Sequence, residues 1–165
     1  MSGPAPYTIN ADSWQVDAPY DGGPEEWRAW ANRMPISQAI GLRCGRIEPG
    51  FAEFTLAEPP LGIPNPNGSI HGGLLVAAAD QCMGIVSMTV LEPTLLPVTA
   101  GIHAQFHRPA IPPVKLEGRV TKGGRSLVFI EVEARDRDGR RCLSSQGTMM
   151  VVRYSVAGDR DREIT

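Results

Sequence analysis

A glycine pair and a carboxylate are the residues in this sequence best placed to do chemistry. Gly72 and Gly73 follow His71 in the stretch N-P-N-G-S-I-H-G-G, and Asp80 lies inside the long apolar run that comes next. If a helix begins near Ser69, a reasonable N-cap, the Gly72 N–H is an unpaired donor at the positive end of the helix dipole. Such a donor can polarise a carbonyl oxygen, while Asp80 can act as a base or a nucleophile.

These two groups cannot meet within one helix. Asp80 follows Gly72 by eight residues, which corresponds to about 12 Å along a helix axis. An antiparallel second copy of the helix would bring Asp80 of one chain to Gly72 of the other. Small residues at 77–79 and at Gly84 permit such close packing. We therefore predict an active site shared between the subunits of a two-fold homodimer.

The other polar residues near this stretch have less distinctive patterns. His71 is expected to support the helix start as a packed or capping histidine, with a role as proton shuttle as the alternative. Asn65 is assigned a role in the site, although a turn former among prolines has the same appearance. His103 and His107 share a face of a predicted strand without a third ligand nearby, so no metal site is predicted.

The surrounding elements follow from the apolar periodicity and the turn residues. Pro24 opens a short helix, Pro35 opens a helical turn or two, and a buried helix follows Ser69. Strands are predicted at 42–47, 51–56, 98–107, 114–121, 127–135 and 142–154. Strands in succession with tight turns form an antiparallel sheet, and such a sheet must wrap around the one very apolar helix. The predicted fold class is therefore α+β.

Trp27 and Trp30 lie three residues apart on the first helix and share one of its faces. Their rings could cover an edge of the core or line a substrate tunnel, and we favour the covering role. The chain divides into an arm with this short helix (1–34), one domain (35–155) and a polar tail (156–165) that is expected to fray.

Length and composition fit a single cytoplasmic domain. The chain has 165 residues, a formal net charge of −2 and 42% hydrophobic residues, which is ordinary for a globular protein and gives no electrostatic case for nucleic acid or anionic membrane. The N-terminus lacks the pattern of a signal peptide, and Asp80 and Gln81 oppose a membrane span in the apolar run. The cysteines Cys44, Cys82 and Cys142 are expected to be reduced thiols.

The motif N-x-x-G-x-x-H-G-G-x-x-x-x-x-x-D, from Asn65 to Asp80, resembles the signature of hotdog-fold acyl-CoA thioesterases. The resemblance is to the branch that contains the phenylacetate-pathway thioesterase and its mammalian relatives. It extends from about Pro35 to Val152 and includes the stretches F-H-R-P-A at 106–110 and G-G-R-S at 123–126.

This resemblance implies a hotdog fold, dimers that often pair into tetramers, and hydrolysis of an acyl-CoA thioester to a carboxylic acid and coenzyme A. It implies no metal and no cofactor beyond the coenzyme A of the substrate. Asp80 would come from the opposite subunit as nucleophile or base, and the Gly72 N–H would polarise the carbonyl. Asn65 would position water or the carbonyl, His71 would orient the loop, and Thr99 would assist. The implied contacts to the coenzyme A part are Gly73, Arg108, Gly124, Arg125 and Ser126.

Two alternatives remain open on the sequence. One is a hotdog hydratase or dehydratase acting on 3-hydroxyacyl thioesters, although the helix start lacks the D-x-N-x-x-H pattern of that branch. The other is an acyl-CoA-binding protein without catalysis. The sequence does not determine the acyl group, the choice between coenzyme A and acyl carrier protein, or the way in which dimers pair.

Overall fold

The computed structural model describes residues 7–9 and 17–156. Its helices are α1 (Pro24–Arg33), α2 (Pro35–Ala39) and α3 (Gly72–Met88), with a 3-10 turn at Pro60–Gly62. Its strands are β1 (Tyr7–Ile9), β2 (Leu42–Glu48), β3 (Phe51–Leu56), β4 (Leu95–Phe106), β5 (Val114–Gly123), β6 (Leu127–Arg135) and β7 (Arg141–Val156).

Six of the strands form one antiparallel sheet. The order is β4-β7-β6-β5-β3-β2, and the short β1 adds a parallel pair at the end of β7. All pairings from β2 to β7 are antiparallel. Within the described residues β4 pairs only with β7, so its other edge is open along the strand. The predicted α+β class is confirmed.

The sheet curves around α3, which buries one face against it. Gly118 on β5 and Gly147 on β7 let the helix approach closely, because a Cβ on either would overlap a helix side chain, Cys82 or Met83 respectively. The buried residues of α3 are Leu75, Ala78, Ala79, Cys82, Met83, Ile85, Val86, Ser87 and Met88. This packing fixes which face of α3 remains accessible to a ligand or a second chain.

The helix start differs from the sequence prediction. The N-cap of α3 is His71 rather than Ser69. Ser69 is buried, and its hydroxyl is bonded inside the preceding loop, where it donates to Asn67 Oδ1 at 2.7 Å and accepts from Asn65 Nδ2 at 3.0 Å. It is therefore not available to cap the first turn of the helix.

The predicted strands and helices otherwise agree with the structure to within a few residues, and the largest difference is that β4 begins at Leu95. The strand β1 had no sequence signal. The expected fraying of the tail concerns residues that lie, except for Val156, outside the described part of the chain, and the three-part division of the chain stays a prediction. No helix in the part of the chain that the structure describes has the length and hydropathy to cross a bilayer.

Candidate active site

Asp80 is held by a neighbouring strand of its own chain. It lies half-buried on α3, and Thr99 Oγ1 donates a hydrogen bond to Asp80 Oδ1 at 2.8 Å. Thr99 pairs with the buried Met149 of β7, so both point towards the helix side of the sheet. The sequence placed Thr99 near Asp80 only through the family resemblance, and the structure brings the two into direct contact.

The N-terminus of α3 presents a free backbone donor. His71 Nδ1 accepts from the Gly73 N–H at 3.1 Å, and the His71 carbonyl accepts from the Leu75 N–H at 3.0 Å. The hydrogen bonds found among the described residues leave the Gly72 N–H without a partner, as expected for the first residue of a helix. His71 thus fixes the first turn while the Gly72 N–H stays available to a ligand oxygen.

Phe106 covers the same turn from the end of β4. A Cβ on Gly72 would lie 3.2 Å from the Phe106 ring, and the ring itself is 54% exposed. Glycine at this position therefore leaves room between the ring and the backbone. An exposed aromatic ring beside a free N–H forms an apolar wall next to the point where a carbonyl oxygen would bind.

The loop before α3 is held by Asn65. Its backbone N–H donates to the Ser69 carbonyl at 2.8 Å, and its side-chain Nδ2 donates to Ser69 Oγ at 3.0 Å and to the Ile70 carbonyl at 3.3 Å. The Ile70 N–H in turn donates to the Ala110 carbonyl at 2.9 Å. The amide of Asn65 is thus engaged in shaping the loop, and its predicted contact with water or the carbonyl stays a prediction.

The candidate residues fall into separate groups within one chain. Because α3 is a continuous helix from Gly72 to Met88, Asp80 and Gly72 are about 12 Å apart along its axis. The turn at 123–126 lies at the other end of the helix, where Gly124 and Arg125 line a cleft with residues that follow α3. One chain therefore does not bring the three groups together.

Asp80 opens onto a cavity of about 190 Å³ between α3, β4 and the N-terminal helices, and most of the residues that line it are apolar. Its lining is Trp30, Met34, Asp80, Gln81, Gly84, Ile85, Met88, Leu96, Pro97, Thr99 and Met149. A carboxylate at the mouth of an apolar pocket is the arrangement needed to act on the polar head of a group whose tail is apolar.

Two side-chain contacts hold α1 and α2 over this cavity. The Asn32 amide pairs with the backbone of Cys44 on β2, accepting from its N–H at 2.8 Å and donating to its carbonyl at 3.1 Å. Gln81 Nε2 on α3 donates to Ser37 Oγ at 3.3 Å and lies 3.2 Å from Met34 Sδ. The helices α1 and α2, which cover the cavity, are thus fixed to the sheet and to the central helix α3.

Metal binding and thiol chemistry find no support among the described residues. In the described part of the chain, no group of three His, Cys, Asp or Glu side chains could hold a metal ion. Burial raises the pKa of the Cys44 and Cys142 thiols to about 11 and raises the pKa of Cys82 further. The predicted reduced state fits the structure, in which all three cysteines are free and buried.

Comparison with known proteins finds similarity to thioesterases and esterases. The sequence pattern of the thioesterase superfamily matches residues 67–143. A Saccharolobus solfataricus protein, provisionally named an esterase, is 29% identical over 90 residues, which is 54% of this chain and 64% of that protein. The chain therefore spans just under two thirds of this relative.

Solved structures share the architecture. A thioesterase family protein from Silicibacter pomeroyi matches with a TM-score of 0.70 at 23% identity, over 77% of this chain and 96% of its own. A hypothetical thioesterase with coenzyme A from Streptococcus pneumoniae matches with a TM-score of 0.62 at 21% identity, over 72% of this chain and 92% of its own. At these identities the likeness shows the fold, and the protein is a hotdog-fold protein. The chain is thus similar to the thioesterase superfamily over residues 67–143, which is less than half of its length.

Several residues of the site were not found from the sequence. Met34, Leu96 and Met149 line the Asp80 cavity, yet they come from the junction of α1 and α2, from β4 and from β7, and they share no spacing pattern. The sequence left two roles for Trp30, covering an edge of the core or lining a substrate tunnel. In the structure its side chain is buried in the core and also lines the cavity. Arg108 and Arg125 are exposed, so their contacts with phosphate stay predictions.

Proposed function

We propose that this protein is an acyl-CoA thioesterase of the phenylacetate-pathway branch whose active site is completed by a second copy of the chain. The observation that carries the proposal is that one helix holds two complementary groups apart from each other. The free Gly72 N–H lies at its start, and the Asp80 carboxylate, bound by Thr99, lies further along it. A carbonyl polarised by the N–H of one subunit can be attacked by, or through, the carboxylate of the other.

The accessible face of α3 supports this assembly. Gly73, Ala77, Asp80 and Gly84 recur at helical spacing and lie outside the buried face of the helix. Three of these four residues are small, so a second helix can approach closely. When two such helices run antiparallel about a two-fold axis, each Asp80 approaches the other chain's Gly72.

The open edge of β4 gives the second chain a further place to bind. An unpaired strand edge exposes backbone donors and acceptors that another strand can satisfy. β4 is twelve residues long and half-buried or exposed throughout, and it also carries Thr99. Pairing of β4 with its symmetry mate extends the sheet across the dimer beside the two sites.

Further pairing of dimers is supported by the outer face of the sheet. Leu127 and Phe129 on β6 are 38% and 37% exposed, and their positions two apart place them on the same face. Exposed apolar residues on a sheet face are a common site of association. We infer a dimer of dimers in which this face is covered.

The reaction can proceed by two routes that use the same groups. In one, Asp80 takes a proton from water, the resulting hydroxide adds to the thioester carbon, and the C–S bond breaks with coenzyme A leaving as thiolate, which is then protonated. In the other, an Asp80 oxygen adds to that carbon and displaces the thiolate, and water hydrolyses the mixed anhydride. In both, the Gly72 N–H stabilises the negative oxygen of the tetrahedral intermediate.

The coenzyme A part is expected to leave the site between the two subunits. In the antiparallel arrangement, the loop before α3 of one chain lies along the C-terminal half of the other chain's α3, near the turn that contains Gly124, Arg125 and Ser126. Arg125 and Arg108 are exposed and available for phosphate oxygens, which guanidinium groups bind well. Gly73 lies at the start of this path.

The test is release of free thiol from a panel of acyl-CoA thioesters by the wild-type protein and by Asp80→Asn. We expect wild-type turnover and, because the carboxylate is lost, a fall in kcat of about 100-fold or more in a folded dimer. Hydration of 2-enoyl-CoA without thiol release would indicate the hydratase alternative, and tight binding without either reaction would indicate a binding protein. Single turnover in ¹⁸O water separates the two routes, since only the anhydride route can label Asp80.

A further inference from the structure

The cavity next to Asp80 is small. Its volume is about 190 Å³, and an apolar protein cavity of about 150 Å³ accepts a benzene ring. Trp30 and Met88 lie among its lining residues, and they are only 1% and 4% exposed. A single ring or a short chain therefore fills the space.

A second cavity lies behind these two residues. Its volume is about 460 Å³, and Tyr20 and Trp27 are among its lining residues. The ring of Trp27 packs edge-on against Trp30 with centroids 5.4 Å apart. The Tyr20 hydroxyl lies 3.8 Å from Met88 Sδ. The two cavities are therefore separated by a wall in which Trp30 and Met88 face one side and Trp27 and Tyr20 face the other.

The wall is fixed in place. Tyr20 packs edge-on against Trp27 at 5.5 Å, which links all three rings in one row. The helix that carries Trp27 and Trp30 is joined to β2 by the Asn32 amide. Side chains locked by packing and hydrogen bonds keep the shape of a pocket constant from one turnover to the next.

We propose that Trp30 and Met88 form the end wall of the acyl pocket and restrict this enzyme to compact acyl groups, a short chain or a single ring. This inference rests on the proposed function, because it specifies the acyl class at the same site. Trp30 lies outside residues 67–143, the part that matches the superfamily. The end wall therefore combines a residue of α1, Trp30, with a residue of the central helix α3, Met88.

The proposal is tested by measuring kcat/KM across a series from butanoyl-CoA to hexadecanoyl-CoA, with phenylacetyl-CoA included. We expect the wild type to prefer the short chains and the ring. Met88→Ala joins the two cavities, so the ratio of dodecanoyl to butanoyl turnover should rise about tenfold or more. Met88→Leu is the matched control, because it keeps the volume of the wall and should leave the profile unchanged. Trp30→Ala removes the other half of the wall and should shift the profile in the same direction.

Two results would overturn the proposal. One is a wild-type kcat/KM that stays constant or rises with chain length up to hexadecanoyl-CoA. This result does not depend on the folding of any variant. The other is an unchanged profile in folded Met88→Ala and Trp30→Ala. If the wild type releases no thiol from any thioester, the proposed function fails instead, and the pocket is then tested by calorimetric binding of the same series. In the wild type the affinity would then rise with chain length only as far as the short chains, whereas in Met88→Ala it would continue to rise. This result would support the end wall without the proposed function.

Discussion

Thr99 Oγ1 donates to Asp80 Oδ1 at 2.8 Å, and this hydrogen bond joins the central helix to the open edge strand of the sheet. The contact lies within one chain, so each subunit orients its own carboxylate. The Gly72 N–H of the same chain lies about 12 Å from Asp80 along the helix axis, so in the proposed site this donor would come from a second chain. The two halves of the site therefore have distinct structural origins, which makes them separately testable.

Loss of the Thr99 hydroxyl should reduce catalysis without unfolding the protein. Thr99→Val keeps the branched shape and removes the donor. A hydrogen bond to a charged group is worth about 1.5–3 kcal/mol, so kcat/KM should fall about tenfold to a hundredfold. Thr99→Ser keeps the hydroxyl and should retain most of the activity. Equal activity in Thr99→Val and the wild type would show that Asp80 does not need this partner.

Replacing Gly72 tests the polarising donor directly. The preceding residue His71 has φ −61° and ψ 134°, a conformation that is compatible with a following proline, and proline is favoured at the first helical position. Gly72→Pro therefore removes the N–H while keeping the helix start. Gly72→Ala is the matched control, since it places the same Cβ against the Phe106 ring but keeps the N–H.

We expect kcat of Gly72→Pro to be about 100-fold to 1000-fold below that of Gly72→Ala, as for loss of one oxyanion donor. Any cost of the contact with Phe106 is common to both variants and cancels in the comparison. Circular dichroism and thermal unfolding establish that both are folded. Equal kcat in the two variants would exclude the Gly72 N–H from the reaction.

The close approach of α3 to the sheet predicts a stability effect far from the site. In Gly118→Ala the new Cβ would overlap the buried Cys82 Sγ, and such overpacking costs about 1–3 kcal/mol. For a chain of this size that corresponds to a fall in Tm of roughly 2–12 °C. Gly123→Ala at the end of the same strand meets nothing within 4 Å, and its Tm should stay near that of the wild type. Similar Tm values for both variants would contradict the packing described here.

The cysteines should be inert in the native protein. Burial raises the pKa of the Cys44 and Cys142 thiols from the ordinary value of 9.0 to about 11, and it raises the pKa of Cys82 higher still. The reactive thiolate is therefore scarce at neutral pH. A disulfide reagent should label no thiol rapidly in native protein and three after denaturation, so the thiol signal in the hydrolysis assay comes from coenzyme A.

These raised pKa values also set a pH dependence of stability. The unfolded chain releases its thiol protons near pH 9, whereas the folded chain holds them to about pH 11. The unfolded state thus binds fewer protons in this interval, and the free energy of unfolding should fall as the pH rises from 9 towards 11. Urea denaturation at pH 8 and pH 10.5 measures this loss. A higher stability at pH 10.5 would contradict it.

Local patterns in the sequence predicted most of the fold. The alternation of apolar residues at 127–135 and the turns at Gly50 and Gly139 each depend on neighbouring residues, and the structure has them where they were predicted. The capping of α3 was placed wrongly because both Ser69 and His71 can cap a helix. Only the loop, in which Ser69 is bonded to Asn65, decides between them.

The Asp80 cavity depends on contacts that no local pattern encodes. Trp30 and Met149 both line it, although they are more than a hundred positions apart and belong to a helix and a strand. Only the curved sheet with α1 packed beside β2 brings them together. The cover of Gly72 by Phe106 likewise depends on where β4 ends relative to the start of α3.

The most direct test of a site shared between subunits is a mixed dimer of two inactive variants. Asp80→Asn and Gly72→Pro chains are co-expressed with different affinity tags, and the species that carries both tags is purified and assayed for thiol release. In a shared site one of the two centres of a mixed dimer receives Asp80 from one chain and the Gly72 N–H from the other, so a mixed dimer should recover about half of the wild-type activity and a population of tetramers that carry both tags about a quarter. Activity no higher than that of the two parent variants would contradict the shared site.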